Sequence, residues 1–468
     1  MELFIPLEQA SRKPLYEQIY TYICREIRSG SLQAGERLPS TRMLAEHLRV
    51  SRSTTQMAYD QLEAEGYIEA RPCRGYFVCR IEGLVEVCCL ESGGAKPESL
   101  TDSGIQEDSG ILVDFSPRGI DLESFPYNTW RKLSRSALTE DQKEMFLPGI
   151  HQGELDLREA IRSYLHGARG VNCSASQIIV GAGNEYLLML LAQILGSSQK
   201  IAMENPTYKQ AYRVFKSLGF DVCPIEMDEN GMDPRMLKES GADVAYVMPS
   251  HQFPMGIVMP VGRRQELLKW AEGGRYLIED DYDSEFRYRG KPIPALQSLD
   301  RTGRVIYFGT FSRCIAPAIR VSYMVLPLEL LERYRRKAGF YASTVSRIDQ
   351  NILCRFLSEG HFERHLNRMR AIYKAKHDAL LEAAAPLEQQ FSIGGEYAGI
   401  HILLTDRQGR KEEELVYRAR QAGVKVYGLS GCHIGEGKEL PSTLLLGYAN
   451  VTLEQIRSGT ELLLQAWK

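Results

Sequence analysis

No apolar run in this sequence reaches the ~18 residues that a membrane span needs, and the opening MELFIPLEQASRKPLYEQ lacks a signal-peptide pattern. A cytoplasmic protein is the expectation. The 10 cysteines are scattered, no C-x-x-C pair occurs and no histidines cluster at zinc spacing, which argues against a disulfide framework or a structural metal. Adjacent Cys88 and Cys89 read as linker or edge strand with reduced thiols. Positive charge is not in excess either. The 57 Lys and Arg against 60 Asp and Glu leave −3, so any surface for nucleic acid must be local. No internal repeat is visible. What is present is a globular composition, 44% apolar and 25% charged, over 468 residues, enough for two or three domains.

Residues 1–80 carry helix signals. Leu15, Ile19, Tyr22, Ile23 and Ile27 recur at helical spacing from Pro14 to the stop at Ser29-Gly30. Ser40 is a natural N-cap for a helix over Thr41–Leu48, and Ser51 caps a third helix running through Glu65 to Gly66. Tyr67–Ala70 and Tyr76–Val78, separated by Arg71-Pro72-Cys73-Arg74-Gly75, read as a two-stranded wing. Helix, helix, short turn, helix and wing describe a winged helix-turn-helix. Its third helix begins SRSTTQMAYDQL, with short polar side chains at the end that recognition helices place in the major groove. Arg37, Arg42, Arg49, Arg52 and Arg74 would make one face basic toward phosphates.

Residues 91–110, ESGGAKPESLTDSGIQEDSG, are too polar to bury a core, which places a flexible linker over 81–112. From Val113 to Lys468 apolar strands alternate with helices, the pattern of an α/β domain with a mostly parallel sheet. Strand Ile178–Val180 passes through Gly181-Ala182-Gly183-Asn184 into an apolar helix, an arrangement that suits a phosphate or simply a tight turn. Strand Ile201–Met203 leads to Tyr208, Val244–Met248 to His251 and Gln252, and Arg275–Ile278 to Glu279-Asp280-Asp281-Tyr282. Three acids beyond a strand end suit a ligand site, a solvated turn or a Mg²⁺ site.

The stretch that ties these ends together is VIYFGTFSRCIAPAIRVSYMVLP, Val305–Pro327. A strand over Val305–Phe308 is followed by Thr310 and Ser312 on a tight turn, then Arg320 and a second strand over Tyr323–Leu326. Two hydroxyls and an arginine beside exposed N–H groups are the parts of an anion cup. No lysine lies in this turn.

Residues 14–78 resemble the GntR-type winged helix along their length, with G-E-R-L-P-S-T-R, V-S-R-S-T and L-E-A-E-G-Y-I as specific matches. The resemblance implies that Ser40, Arg42, Arg52, Thr54 and Thr55 face DNA beside Arg37, with Arg74-Gly75 at the wing tip and Cys73 where the family often has glycine. Residues 113–468 resemble the fold-type-I aminotransferases, whose cofactor segment has the form T-F-S-K-x-x-x-P-x-x-R. Mapped by motif, Gly183, Asn184, Thr310, Ser312 and Arg320 would hold the phosphate of pyridoxal 5′-phosphate. Tyr208 would stack on the ring, Asp280 pair with the ring nitrogen and Tyr282 reach the ring hydroxyl, with Gln252 or His251 nearby. Two departures stand out. Arg313 occupies the position of the cofactor lysine, and Leu445 that of the arginine that clamps a substrate carboxylate. A guanidinium stays protonated and is no nucleophile, so no catalytic residue is assigned. Pairing with Asp280, or donation to a bound carboxylate or phosphate, are the roles open to Arg313.

A GntR head joined by a linker to this fold is the architecture of MocR-type transcriptional regulators, and FSPRGIDLESFPYNTWRKL, GAGNEYLL, PSHQFPMG and EDDYDSEFRY are similar to that subfamily. The resemblance implies a regulator and not an enzyme. It would bind double-stranded operator DNA as a head-to-tail homodimer, hold pyridoxal phosphate non-covalently at most, and respond to that cofactor or an amino-acid-like effector. The alternatives are a working pyridoxal-phosphate aminotransferase with an added DNA-binding module, and a regulator that has abandoned the cofactor.

Overall fold

The computed structural model describes residues 5–8, 13–72, 74–80, 110–288, 293–395, 399–435 and 441–468. Cys73, Cys88, Cys89 and residues 81–109 of the expected linker lie outside them. The chain divides into two compact units, Met1–Glu107 and Asp108–Lys468.

In the first unit, α1 (Leu15–Arg28), α2 (Thr41–Leu48) and α3 (Arg52–Ala64) precede the hairpin of β1 (Ile68–Arg71) and β2 (Gly75–Val78). The hydroxyls of Ser40 and Ser51 each accept a backbone N–H, from Met43 and Thr54, at 3.2 Å, so both helix starts are capped as the sequence predicts. Apolar faces of the three helices meet over Ile19, Ile23, Leu44, Ala58, Tyr59 and Leu62, all fully buried. The wing pairs antiparallel from Ile68↔Val78 to Arg71↔Gly75, and Arg37 adds a bridge to Phe77. Gly75 turns the wing at φ +98, a conformation that excludes most side chains.

In the large unit, β3 (Val113–Asp114), α4 (Tyr127–Ala137) and α5 (Leu155–Arg169) lead to a sheet of eight strands. These are β4 (Ile178–Gly181), β5 (Lys200–Asn205), β6 (Asp221–Asp228), β7 (Gly231–Met232), β8 (Val244–Val247), β9 (Tyr276–Asp281), β10 (Val305–Thr310) and β11 (Ser322–Val325), with α6 (Asn184–Leu195) following β4. Their spatial order is β4-β11-β10-β9-β8-β5-β6-β7. Strands β10, β9, β8, β5 and β6 run parallel, whereas β11 opposes both its neighbours and β7 opposes β6. Both faces of the sheet are covered, which is why its strands read as continuous apolar runs. Along β10, Tyr307 enters one apolar layer with Ile161 and Phe356, and Phe308 the other with Leu191 and Ile278. A second sheet joins β12 (Phe391–Gly394), β13 (His401–Asp406), β15 (Tyr427–Gly428) and β16 (Thr443–Gly447), while β14 (Val424–Lys425) pairs with β3. No helix of the described residues is long and apolar enough to cross a membrane.

The three acids expected beyond the β9 strand lie within it and are buried. Period-two alternation separates their roles. Glu279 accepts the N–H groups of Leu296 and Gln297 at 2.7 and 2.8 Å. Asp281 accepts from Arg169 Nε at 2.8 Å and the Tyr307 hydroxyl at 2.6 Å. Asp280 lines the cavity described next.

Candidate ligand site and nucleic-acid interface

Strand β11 runs against β10 and β4, so its first residue, Ser322, lies at the sheet end where those two strands finish, paired with Thr310 and Gly181. A cavity of about 260 Å³ opens there. Eight of the nine residues predicted to touch the cofactor line it: Gly183, Asn184, Tyr208, Asp280, Tyr282, Thr310, Ser312 and Arg320. Gln252 does not. Its Nε2 donates to the Pro206 carbonyl at 2.9 Å and its Oε1 accepts from Met255 N–H at 2.9 Å, so this buried side chain pins loop backbone instead. His251 is also outside the lining, with Nδ1 2.9 Å from Asp283 Oδ2 and 3.0 Å from the Tyr282 hydroxyl.

One end of the cavity gathers a glycine turn, hydroxyls and an arginine. Gly183 precedes α6 at φ +96, and a Cβ there would stand 2.5 Å from Arg320 Nη2, so only glycine lets that guanidinium approach. Ser322 donates to Thr310 Oγ1 at 2.8 Å, which in turn accepts from Ser312 N–H at 3.2 Å. Arg320 pairs with Glu185 at 3.0 Å. The pair is partly exposed, so exchanging that partner for a bound anion costs little.

The floor carries Asp280. Its Oδ2 accepts the Tyr246 hydroxyl and its Oδ1 lies 3.5 Å from Asn184 Nδ2. Burial pushes its carboxyl up to about 7, against the lowering effect of the Tyr246 hydroxyl, with Asp281, Asp283 and Glu185 adding to the rise. Asn184 Oδ1 is buried without a hydrogen-bond partner among the described residues. An anion cup, an acid poised to ionise beside a cation, an aromatic wall at Tyr208 and this orphan acceptor fit a phosphorylated pyridine.

Arg313 also lines the cavity. It does not pair with Asp280: its Nη2 donates to the Pro117 carbonyl at 3.2 Å, and its guanidinium lies 5.9 Å from the Tyr282 ring centre. Leu445 is buried in an apolar cluster with Leu403 and Leu429. Sequence reasoning missed Ser322, Tyr246 and Arg118. Arg118 lines the cavity 5.8 Å from the Tyr208 ring centre, within the FSPRGID stretch that already stood out.

In the first unit Arg37, Ser40, Arg42, Arg52 and Arg74 are exposed, and Thr54 and Gly75 partly so. Arg42, Arg49 and Arg52 line one open cleft between α2 and α3. Thr55 departs from expectation. It is fully buried and its hydroxyl donates to the Thr41 carbonyl at 2.9 Å, because the third residue after Arg52 turns toward α2 and away from solvent.

The profile of the bacterial regulatory proteins of the gntR family matches residues 15–78, and that of aminotransferases of class I and II matches residues 122–463. The chain therefore joins a GntR winged helix, a DNA-binding module, to a fold-type-I aminotransferase domain, a fold that normally binds pyridoxal phosphate. It belongs to the MocR-type helix-turn-helix transcriptional regulators. It is 39% identical to the uncharacterized HTH-type transcriptional regulator YdeL of Bacillus subtilis, over 97% of each chain. Identity to the probable rhizopine catabolism regulatory protein MocR of Rhizobium meliloti is 32%, over 98% of this chain and 95% of that one. A multiple substrate aminotransferase from Thermococcus profundus superposes with a TM-score of 0.69 at 26% identity, over 77% of this chain and 92% of that one.

Proposed function

We propose that the large unit senses a ligand by holding pyridoxal 5′-phosphate, or its amine form, without a covalent bond, and has no catalytic activity. Residues 1–80 form the operator-reading head, 81–112 a flexible linker, and 113–468 the effector and dimerisation domain. One observation carries this reading. An anion cup and Asp280 line the same cavity as Arg313, the residue at the position of the cofactor lysine.

When bound, the cofactor supplies a phosphate, a basic ring nitrogen and an aldehyde or amine at C4′. Backbone N–H groups at the start of α6, the hydroxyls of Thr310, Ser312 and Ser322, and Arg320 would bind the phosphate. Tyr208 would cover the ring, and Asp280 would accept the ring N–H, whose positive charge favours the carboxylate. A guanidinium is no nucleophile and no proton shuttle, so Arg313 does not attack the aldehyde. An effector that binds this cavity is read out as altered operator affinity.

A head-to-tail homodimer is part of the reading. Phe146 and Phe340 expose 70% and 74% of their surface, apolar area that a partner would cover, and a symmetric pair suits two half-sites on DNA. Sedimentation should give a dimer at micromolar protein, and a monomer there counts against it.

The cofactor reading is tested with borohydride. Wild-type protein treated with pyridoxal phosphate should gain no mass at residue 313 and lose its colour on dialysis. Arg313→Lys should turn yellow and keep a borohydride-fixed phosphopyridoxyl group at that residue. A wild-type protein isolated with covalent cofactor refutes the assignment of Arg313, and an Arg313→Lys variant that loses its colour on dialysis and keeps no borohydride-fixed group refutes the cup.

A further inference from the structure

The cavity has three poles, and the cofactor by itself satisfies two. Phosphate suits the cup of Thr310, Ser312, Ser322 and Arg320, and the ring nitrogen suits Asp280. The third pole is cationic. Arg313 has no carboxylate partner among the described residues: its guanidinium makes one hydrogen bond, to the Pro117 carbonyl, and otherwise stands beside the Tyr282 ring. A guanidinium offers five N–H donors in a planar fork that matches the two oxygens of a carboxylate. Arg118, the other cation here with no carboxylate partner among the described residues, adds to the same field from beside Tyr208. Arg320, by contrast, is already paired with Glu185. The amine form of the cofactor sets an ammonium against this pole, and like charges at close range repel. The aldehyde form brings only a neutral oxygen. Position 445 cannot hold a carboxylate, being a leucine sealed in an apolar cluster.

We infer that the cavity selects phosphorylated pyridines that carry a carboxylate at, or a few bonds beyond, the ring carbon facing residue 313, and that Arg313 recognises that carboxylate. The inference rests on reading the cup as a site for pyridoxal phosphate. The ligand enters preformed, and no bond to the protein forms or breaks. Two sources share this chemistry: a conjugate in which C4′ carries an amino acid through its nitrogen, and a pyridine whose C4 substituent is itself a carboxylate.

Calorimetric titration of the full chain tests this with four probes. Two carry the carboxylate, N-(5′-phosphopyridoxyl)glycine and 4-pyridoxic acid 5′-phosphate. Two lack it, pyridoxamine 5′-phosphate and N-(5′-phosphopyridoxyl)ethylamine. At least one carboxylate probe should bind roughly tenfold tighter than both others, the effect of one charge-assisted contact. Arg313→Gln should bring that ratio to within about twofold. The glycine conjugate ranking first assigns the amino-acid source, and the pyridoxic acid ranking first assigns the ring carboxylate. Equal affinity across the probes, or a ratio that survives Arg313→Gln, overturns the inference and leaves the cofactor reading standing. If the variant does not fold, the wild-type ranking of the two carboxylate probes against the two that lack it decides alone. No binding by any probe overturns both.

Discussion

The two units hold their candidate site charges under opposite conditions. On the winged helix, Arg42, Arg52 and Arg74 stand in solvent at helix starts and the wing, and the serines beneath them bond to backbone three residues away. In the large unit, Asp280 lies inside the sheet, and its contacts come from residues 34 and 96 positions away, Tyr246 and Asn184. Exposed charges act on phosphates at a distance set by salt and can be removed without disturbing the fold. A buried charge is part of the core, so ligand recognition and stability cannot be altered separately there.

The sharpest way to break this contrast is Arg169→Ala, which strips Asp281 of its partner where both side chains are at least 97% buried. The Tyr307 hydroxyl still donates to that carboxylate, but burying it without its cation should cost the large unit about 3–5 kcal/mol. Denaturant unfolding followed by a probe in each unit should show the loss there and spare residues 13–80.

Asp280→Asn sharpens the point through pH. Burial raises the carboxyl from its ordinary 3.8 to about 7, so between those values the folded protein keeps a proton that the unfolded chain has released. Ionising Asp280 therefore costs stability as pH rises through that window, and stability from this group is fullest below about 4. Asparagine does not titrate. Relative to wild type, the variant should gain on the order of 2 kcal/mol between pH 4 and 8. A difference that stays flat with pH would show that Asp280 ionises normally.

Within the winged helix, two positions three residues apart should behave as opposites. Arg52→Ala should weaken operator binding by ~1–3 kcal/mol at physiological salt and leave the unfolding midpoint in place. Thr55→Val removes a buried donor from the Thr41 carbonyl and should cost ~1–3 kcal/mol of stability, with operator affinity following folding alone. The smallest effect is expected at Ser51→Ala. Losing the cap of α3 should cost about 1 kcal/mol, read as a lower melting temperature of the first unit.

The winged helix was legible almost to the residue because its signals are local. Ser40, Ser51 and Gly66 mark helix ends in a few consecutive positions, and the elements follow within one or two residues of the predicted bounds. Thr55 was misassigned because a recognition-helix motif lists neighbours in sequence, whereas a helix turns every third or fourth residue inward. In the large unit the strands were legible as apolar runs, and the cup residues of the Val305–Pro327 turn follow from their closeness in the chain. Gln252 was misplaced because loop backbone takes up both ends of its amide, and Tyr246 and Ser322 passed unnoticed because nothing within a strand tells which neighbour its side chain will meet.

The amino-acid sequence by itself determined the order of elements, the two glycine-bearing turns at Gly75 and Gly183, and the presence of arginine at position 313. Tertiary structure alone decided which charges are paired. Strand order brings β11 between β4 and β10, and so puts Ser322 beside Thr310. The pleat of β9 sends Glu279 and Asp281 to partners on one face and Asp280 to the cavity on the other. Arg313 reaches Pro117, 196 residues earlier, and leaves Asp280 to Tyr246. Such partners depend on side-chain direction across non-adjacent strands, and desolvation makes them matter: a charge in the interior is set by what packs against it, and packing is a property of the whole fold.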